Sequence, residues 1–460
     1  MPDVDLLVYD AVLLTLAPDE PEPVRGWMAV GEDGRIAALG PGSPPPAEPG
    51  VRLLDAGGAF VAPGFVSAHS HLHTSGSRGL GTDQSLYGWI EAMTRFTNHA
   101  GAEDLYWLTL HGALDFLNNG ITTAYDFTAG LLVFDAARAQ HGAFGGELRP
   151  MECGEAQIRA KVDAGIRFVN SVMLDDAAGG PAEVLGRLDH LVDYAAKFAD
   201  GPLYLRSAIS GAVQWAEDRT TAELEVEAMA RHGLINQPHF LESPYEPAAQ
   251  RSKFAWYRDA GALGPDLVFG HFIQTTDDII VEAAAHGCGM VWQPTSNGRL
   301  ASGIADIPRC RELGMRVGMG LDDQSCTDLS DPFQNMRIGM YLLRASRRDP
   351  EALGVREVLE LHTLGSARVL GIDGDVGSLE VGKYADFLVV DPRRPDTGPV
   401  WDPWASYVLA CGLRNLTQVW VGGRLVSRDG AVVGELGAMA SQEIHDRLGT
   451  IARSLSLNPA

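Results

Sequence analysis

The chain has 460 residues, 45% of them hydrophobic and 21% charged, with a formal net charge of −24. That length exceeds one simple core and suits a large domain with a smaller accessory one, and the composition is that of a soluble globular enzyme. The acidity argues against nucleic acid or an anionic membrane as partner, since both require a basic face.

The start, Met1-Pro2-Asp3-Val4-Asp5, lacks the basic region of a signal peptide. No apolar run approaches the ~20 residues of a membrane span. Cys153, Cys288, Cys310, Cys326 and Cys411 form no C-x-x-C pair and are odd in number, which fits reduced thiols and a cytoplasmic location. A metal site in this chain is therefore expected to use His and carboxylate.

Residues 1–62 read as short strands and turns. Leu6-Leu7-Val8-Tyr9 and Val12-Leu13-Leu14-Thr15-Leu16 flank Asp10-Ala11, and Glu32-Asp33-Gly34-Arg35 reads as a hairpin turn. Residues 376–435 repeat this style, with Phe387-Leu388-Val389-Val390 and Val419-Trp420-Val421. The two ends are expected to meet as one composite β-sandwich domain, because domain termini are often close in space. A helical tail is expected over 436–460. The centre, 63–375, alternates apolar runs with amphipathic segments. Eight strands are predicted at 64–68, 121–127, 166–174, 203–209, 234–240, 267–271, 289–293 and 315–321. Helices are predicted at 103–118, 183–199, 220–232 and 276–286, the last opening at Thr275-Thr276-Asp277-Asp278 and stopping at Gly287. Eight strands alternating with helices is the pattern of an α/β (β/α)8 TIM barrel. No G-x-G-x-x-G follows the first strand, so a doubly wound sheet fits less well.

Several of these strands end in a group able to bind metal. His69 and His71 close the first, and residues i and i+2 of a strand face one side. Both imidazoles can then reach one ion at the ~2.0–2.1 Å of a zinc–nitrogen bond. Thirteen His in 460 residues give about 0.4 H-x-H pairs by chance, so the pair gains weight only from its strand. His239 closes the fifth strand with Glu242 three residues on; His271 closes the sixth and Asp322 the eighth. Each alone reads equally as a structural His or a charged strand terminator. Polar chemistry in a barrel gathers at the C-terminal ends of its strands, and here four strands contribute together.

These residues resemble the amidohydrolase superfamily, in its cytosine deaminase-like branch with the triazine hydrolases. The likeness runs through Pro63-Gly64-Phe65 to His71, His239-Phe240-Leu241-Glu242, Gly270-His271, Pro294-Thr295-Ser296-Asn297, Gly320-Leu321-Asp322 and Gly377-Ser378-Leu379-Glu380-Val381-Gly382-Lys383-Tyr384-Ala385-Asp386. The resemblance implies one divalent metal, zinc or alternatively iron, held by His69, His71, His239 and Asp322. Glu242, His271 and Asp322 would be the catalytic groups, and the protein a homo-oligomer, a dimer or larger. No Lys stands where a bridging carboxylated lysine is expected, which favours one metal over two. The chain departs from the pattern at Trp292-Gln293-Pro294, where relatives often carry His-Asn-Pro, and at Asp322-Asp323-Gln324, where many carry Asp-Gly. His73, Trp292, Gln293, Asp323 and Gln324 are the candidate substrate contacts; His73 reads equally as loop surface and Asp323 as a competing ligand.

The expected reaction is hydrolytic deamination of a small aminated N-heterocycle of purine, pyrimidine or triazine type. Glu242 would protonate the ring nitrogen, His271 orient the attacking water and Asp322 accept its proton. The same groups would serve displacement of another leaving group or opening of a hydantoin- or imidazolone-like ring. A catalytically silent scaffold on the same fold is the remaining alternative.

Overall fold

The computed structural model describes residues 4–133 and 147–454. They divide into two compact units, one of residues 4–68, 114–123 and 330–437, the other of the remaining described residues.

The first unit carries a nine-stranded mixed sheet built from both ends of the chain. Its centre is Phe60–Pro63, which runs parallel to Val4–Leu13 with Val12 opposite Phe60. On its other edge it runs antiparallel to Phe387–Val390 with Val390 opposite Phe60. Alternation decides which side chains are covered: Leu6 and Val8, Met28 and Val30, and Phe387 and Val389 are buried together in one cluster. Phe387 stacks on Trp420, ring centroids 5.4 Å apart. Hydrogen bonding joins strands from both ends of the chain in this one sheet.

The eight strands expected in the centre are present and parallel, with boundaries within one to three residues of the prediction. They form two hydrogen-bonded arcs of six and four strands. The first arc runs Ile235–Asn236, Tyr204–Ser210, Arg167–Met173, Ile121–Phe127, Phe65–His71, Asp322–Asp323; the second runs His239–Phe240, Val268–His271, Gly289–Trp292, Arg316–Met319. Among the described residues the pairing falls into these two arcs and not one closed sheet, short of the closed (β/α)8 barrel expected from the sequence. The expected fifth and eighth strands are each interrupted. The fifth breaks at Gln237-Pro238, where proline has no N–H to give. The eighth breaks at Gly320-Leu321: Gly320 makes its last bond to Gly289–Trp292, donating to Trp292 O at 3.0 Å, and pairing resumes at Asp322 on the other side, with Phe65–His71.

Each predicted helix is present: Ala102–Asn118, Pro181–Ala196, Thr220–His232 and Asp277–Ala285. Thr276 occupies the N-cap of the last, although its hydroxyl makes no cap bond. The tail is helical over Leu436–Ser454. No helix among the described residues is long and apolar enough to cross a membrane.

Candidate metal centre

The register of the second unit gathers the expected residues at the C-terminal ends of its strands. Phe240 lies opposite His271, Asp322 opposite Ser70 and Asp323 opposite His71. The backbone is contorted where these side chains leave it. His271 and Asp322 have φ of 66° and 67°, a left-handed conformation that costs a non-glycine residue about 1–3 kcal/mol. Glycine makes the close packing possible: a Cβ on Gly320 would sit 2.6 Å from His69 Cβ, and one on Gly270 3.0 Å from His69 Cε1.

The ligating atoms of His69, His71, His239 and Asp322 all lie within 4.8 Å of one another. His71 Nε2 is 3.2 Å from His239 Nε2 and 3.4 Å from His69 Nε2, and Asp322 Oδ1 is 3.4 Å from His69 Nε2. Gln237 Oε1 lies 2.6 Å from His69 Nδ1. The amide oxygen can only accept, so Nδ1 carries the ring proton and the Nε2 lone pair points into the cluster. Converging imidazole lone pairs repel unless a cation joins them. Burial, reinforced by neighbouring His69, lowers the pKa of His71 and of His239 well below the ordinary histidine value. Three neutral imidazoles and one carboxylate are the donor set of a zinc site, so the residues fit a divalent ion.

Glu242 and His271 stand beside this set, with His271 Nε2 3.6 Å from Glu242 Oε2 and 3.8 Å from Asp322 Oδ2. Burial, then the charge of Asp322, raises the Glu242 carboxyl well above the usual range. Burial also opposes the charge on Asp322, yet His271 and His69 hold it well below that range. Asp322 Oδ2 accepts from Ser296 Oγ at 2.6 Å and Oδ1 from the Asp323 amide at 2.9 Å. Burial lowers the His271 pKa to about 3.

A cavity of about 140 Å³ opens over these groups. Much of its wall is apolar, with Leu86, Trp89, Ile90 and Met93 from the helix Leu86–Thr97, Leu300 packed with them, and Trp215. Among the expected substrate contacts, His73 and Asp323 line the cavity and Trp292, Gln293 and Gln324 do not. Trp292 is enclosed in the interior at 1% exposure. Gln293 turns its Oε1 to the backbone N–H of His271 at 3.2 Å, and the Gln324 side chain donates to Gly112 O at 3.1 Å. A departure from the family pattern, as at Trp292-Gln293, or a place two residues after a ligand, as at Gln324, does not set the direction of a side chain, and these three point away from the cavity. Phe127, on which the His71 ring stacks at 4.7 Å, is a part of the centre that the sequence reading does not single out. Gln237 is another; Ser296 and Asn297 enter that reading only within a motif.

The amidohydrolase family model matches residues 60–426, and the chain belongs to that family. It is 30% identical to a 5-methylthioadenosine/S-adenosylhomocysteine deaminase of Syntrophobacter fumaroxidans over 98% of both chains. It is 28% identical to a 5'-deoxyadenosine deaminase of Methanosarcina mazei over 92% of this chain and 93% of that one. Among solved structures, an adenosine deaminase from Xanthomonas campestris with bound zinc superimposes with a TM-score of 0.82 at 23% identity, covering 97% of this chain and 99% of that one. Atrazine chlorohydrolase from Arthrobacter aurescens complexed with zinc gives 0.81 at 21% identity, covering 96% and 100%. These likenesses define the second unit as a TIM-barrel-like α/β fold.

Proposed function

We propose that this chain is a metal-dependent aminohydrolase that removes ammonia from a small aminated N-heterocycle. The observation that carries the reading is the geometry of Glu242, buried and 3.6 Å from His271 beside a four-ligand metal set, in a setting that raises its carboxyl pKa. The deaminase names of the relatives support it. His69, His71, His239 and Asp322 would hold one divalent ion, zinc or iron. Such an ion, when bound, lowers the pKa of water from 15.7 towards ~7 and so makes a nucleophile available at neutral pH.

The chain's own groups do the rest. Asp322, kept ionised, accepts the proton of the attacking water, and His271 orients that water through Nε2. Attack on the ring carbon breaks aromaticity and pushes charge onto the ring nitrogen, and Glu242 gives that nitrogen a proton from its carboxyl, worth ~10²–10⁴ in rate. The proton taken up by Asp322 passes to the amine, which leaves as ammonia, while the hydroxyl of the intermediate returns its proton to Glu242. His73 and Asp323 face the ring; the apolar helix Leu86–Thr97 covers it and excludes water. We also infer a barrel over 63–375, a composite β domain from 1–62 and 376–435, a cytoplasmic location and a homo-oligomer.

Ammonia release measured on zinc-loaded protein with purines, pyrimidines and triazines tests the reading. Turnover of at least one aminated ring is expected. Chloride or alkylamine release without ammonia would replace deamination by displacement, and no turnover with any ring would remove the proposal.

A further inference from the structure

The helical turn Pro294–Arg299 and its N-cap Gln293 touch His271 and the ligand Asp322, and do so with residues that the reaction itself does not use. Gln293, Ser296 and Asn297 are all fully buried, at 0%, 0% and 1% exposure. Their spacing of three and four residues puts them on one face of the turn. From that face they meet His271 and Asp322. Gln293 Oε1 accepts from the His271 backbone N–H at 3.2 Å, at the residue whose φ is 66°. Ser296 Oγ donates to Asp322 Oδ2 at 2.6 Å and lies 3.1 Å from the Cys326 thiol, from which it can accept.

Asn297 Nδ2 lies 2.9 Å from His271 Nδ1. An amide nitrogen can only donate, so Nδ1 is the acceptor and the ring proton resides on Nε2. The surroundings of Nε2 lead independently to the same tautomer. It points at Glu242 Oε2, 3.6 Å away, and Asp322 Oδ2, 3.8 Å away. A lone pair there would face the ionised Asp322 carboxylate and be repelled, whereas an N–H is attracted to it. Flipping the Asn297 amide would move the proton to Nδ1 and create that repulsion.

We propose that Asn297 is a positioning residue that fixes His271 as the Nε2–H tautomer, and that Gln293 and Ser296 complete a clamp holding His271 and Asp322 in their working orientations. The consequence for turnover rests on the aminohydrolase reading; the tautomer does not, and is measured without substrate.

The test uses zinc-loaded protein labelled with ¹⁵N-histidine, whose two-bond ¹H–¹⁵N correlations distinguish the two tautomers; His271→Asn identifies the signal by its loss. The wild-type ring is expected to carry its proton on Nε2. Asn297→Asp offers only acceptor oxygens and is expected to move the proton to Nδ1. Bound zinc and KM should then stay unchanged while kcat falls by on the order of 10²-fold. Asn297→Ala should give a mixture of tautomers and a smaller loss. A wild-type proton on Nδ1, or an Nε2–H signal that persists in Asn297→Asp, overturns the proposal. The wild-type spectrum alone decides if the variants do not fold. Absence of ammonia release from every ring would remove the functional reading and leave the tautomer result standing.

Discussion

Gln237 and His69 are joined by a 2.6 Å contact between Oε1 and Nδ1, just before the break in the fifth strand. This contact selects the tautomer of a metal ligand from outside the ligand set. Removing such a partner typically costs 10–100-fold in metal affinity. Gln237→Ala should therefore bind zinc more weakly by about that factor, read by competition with a chromophoric chelator, with its secondary structure intact. Wild-type affinity would show that His69 needs no such support.

Glu242 should separate metal binding from turnover. Glu242→Gln keeps the shape of the carboxyl without its exchangeable proton, so bound zinc should equal that of the wild type. The kcat should fall ~10²–10⁴-fold, as for loss of a general acid. Zinc content by elemental analysis together with initial rates checks this, and a near-normal kcat would take Glu242 out of the proton transfer.

Lys161 and Asp126 form an ion pair at 2.7 Å with both side chains at 0–1% exposure. Lys161 also donates to Asn170 Oδ1 at 2.7 Å, and Asp126 accepts from the backbone N–H of Leu72, the residue after His71. Lys161→Met leaves a buried carboxylate uncompensated and should lower stability by about 3–5 kcal/mol. The midpoint of urea unfolding measures it; a midpoint equal to the wild type would mean that Asp126 takes up a proton at no cost.

Two buried carboxyls outside the metal centre set a pH dependence of stability. Burial raises Asp175 from 3.8 to about 6, against the opposing backbone N–H groups of Leu132 and Leu131. Burial raises Glu225 from 4.5 to about 7, although Asn236 and the Ala212 amide donate to it. The folded state thus holds protons that the unfolded chain has already released. Their contribution is fully present below the unfolded values and is lost as pH rises through about 6 and 7. Melting temperature should accordingly decline over that window, and Asp175→Asn with Glu225→Gln should flatten the decline. A curve of the same slope in the double variant would assign the effect elsewhere.

The chain order of the strands is legible because each is a largely apolar run, and those that carry ligands close on a polar residue. The division into two arcs is not, since it depends on the fifth and eighth strands each pairing with one neighbour before its break and with the other after it. The cavity wall was not legible either: Leu86, Ile90 and Met93 have the spacing of a core-facing helix, and nothing local distinguishes a core from a cavity. Nor does the sequence show which way Trp292, Gln293 and Gln324 point: a departure from a family pattern or a place beside a ligand is as free to face the interior as the cavity.

Gly320 lies so close to the backbone and Cβ of His69 that a Cβ there would force a shift, and Gly270 leaves only a tight 3.0 Å to the His69 ring. The chemistry is thereby frozen into the scaffold: a substitution there would displace a ligand before it altered a preference. The helix Leu86–Thr97 carries no such restriction and supplies much of the wall that a substrate meets. Adaptation to a new ring can proceed by exchanging side chains on that helix while the proton-transfer groups stay untouched, and that helix is where a directed-evolution library should be concentrated.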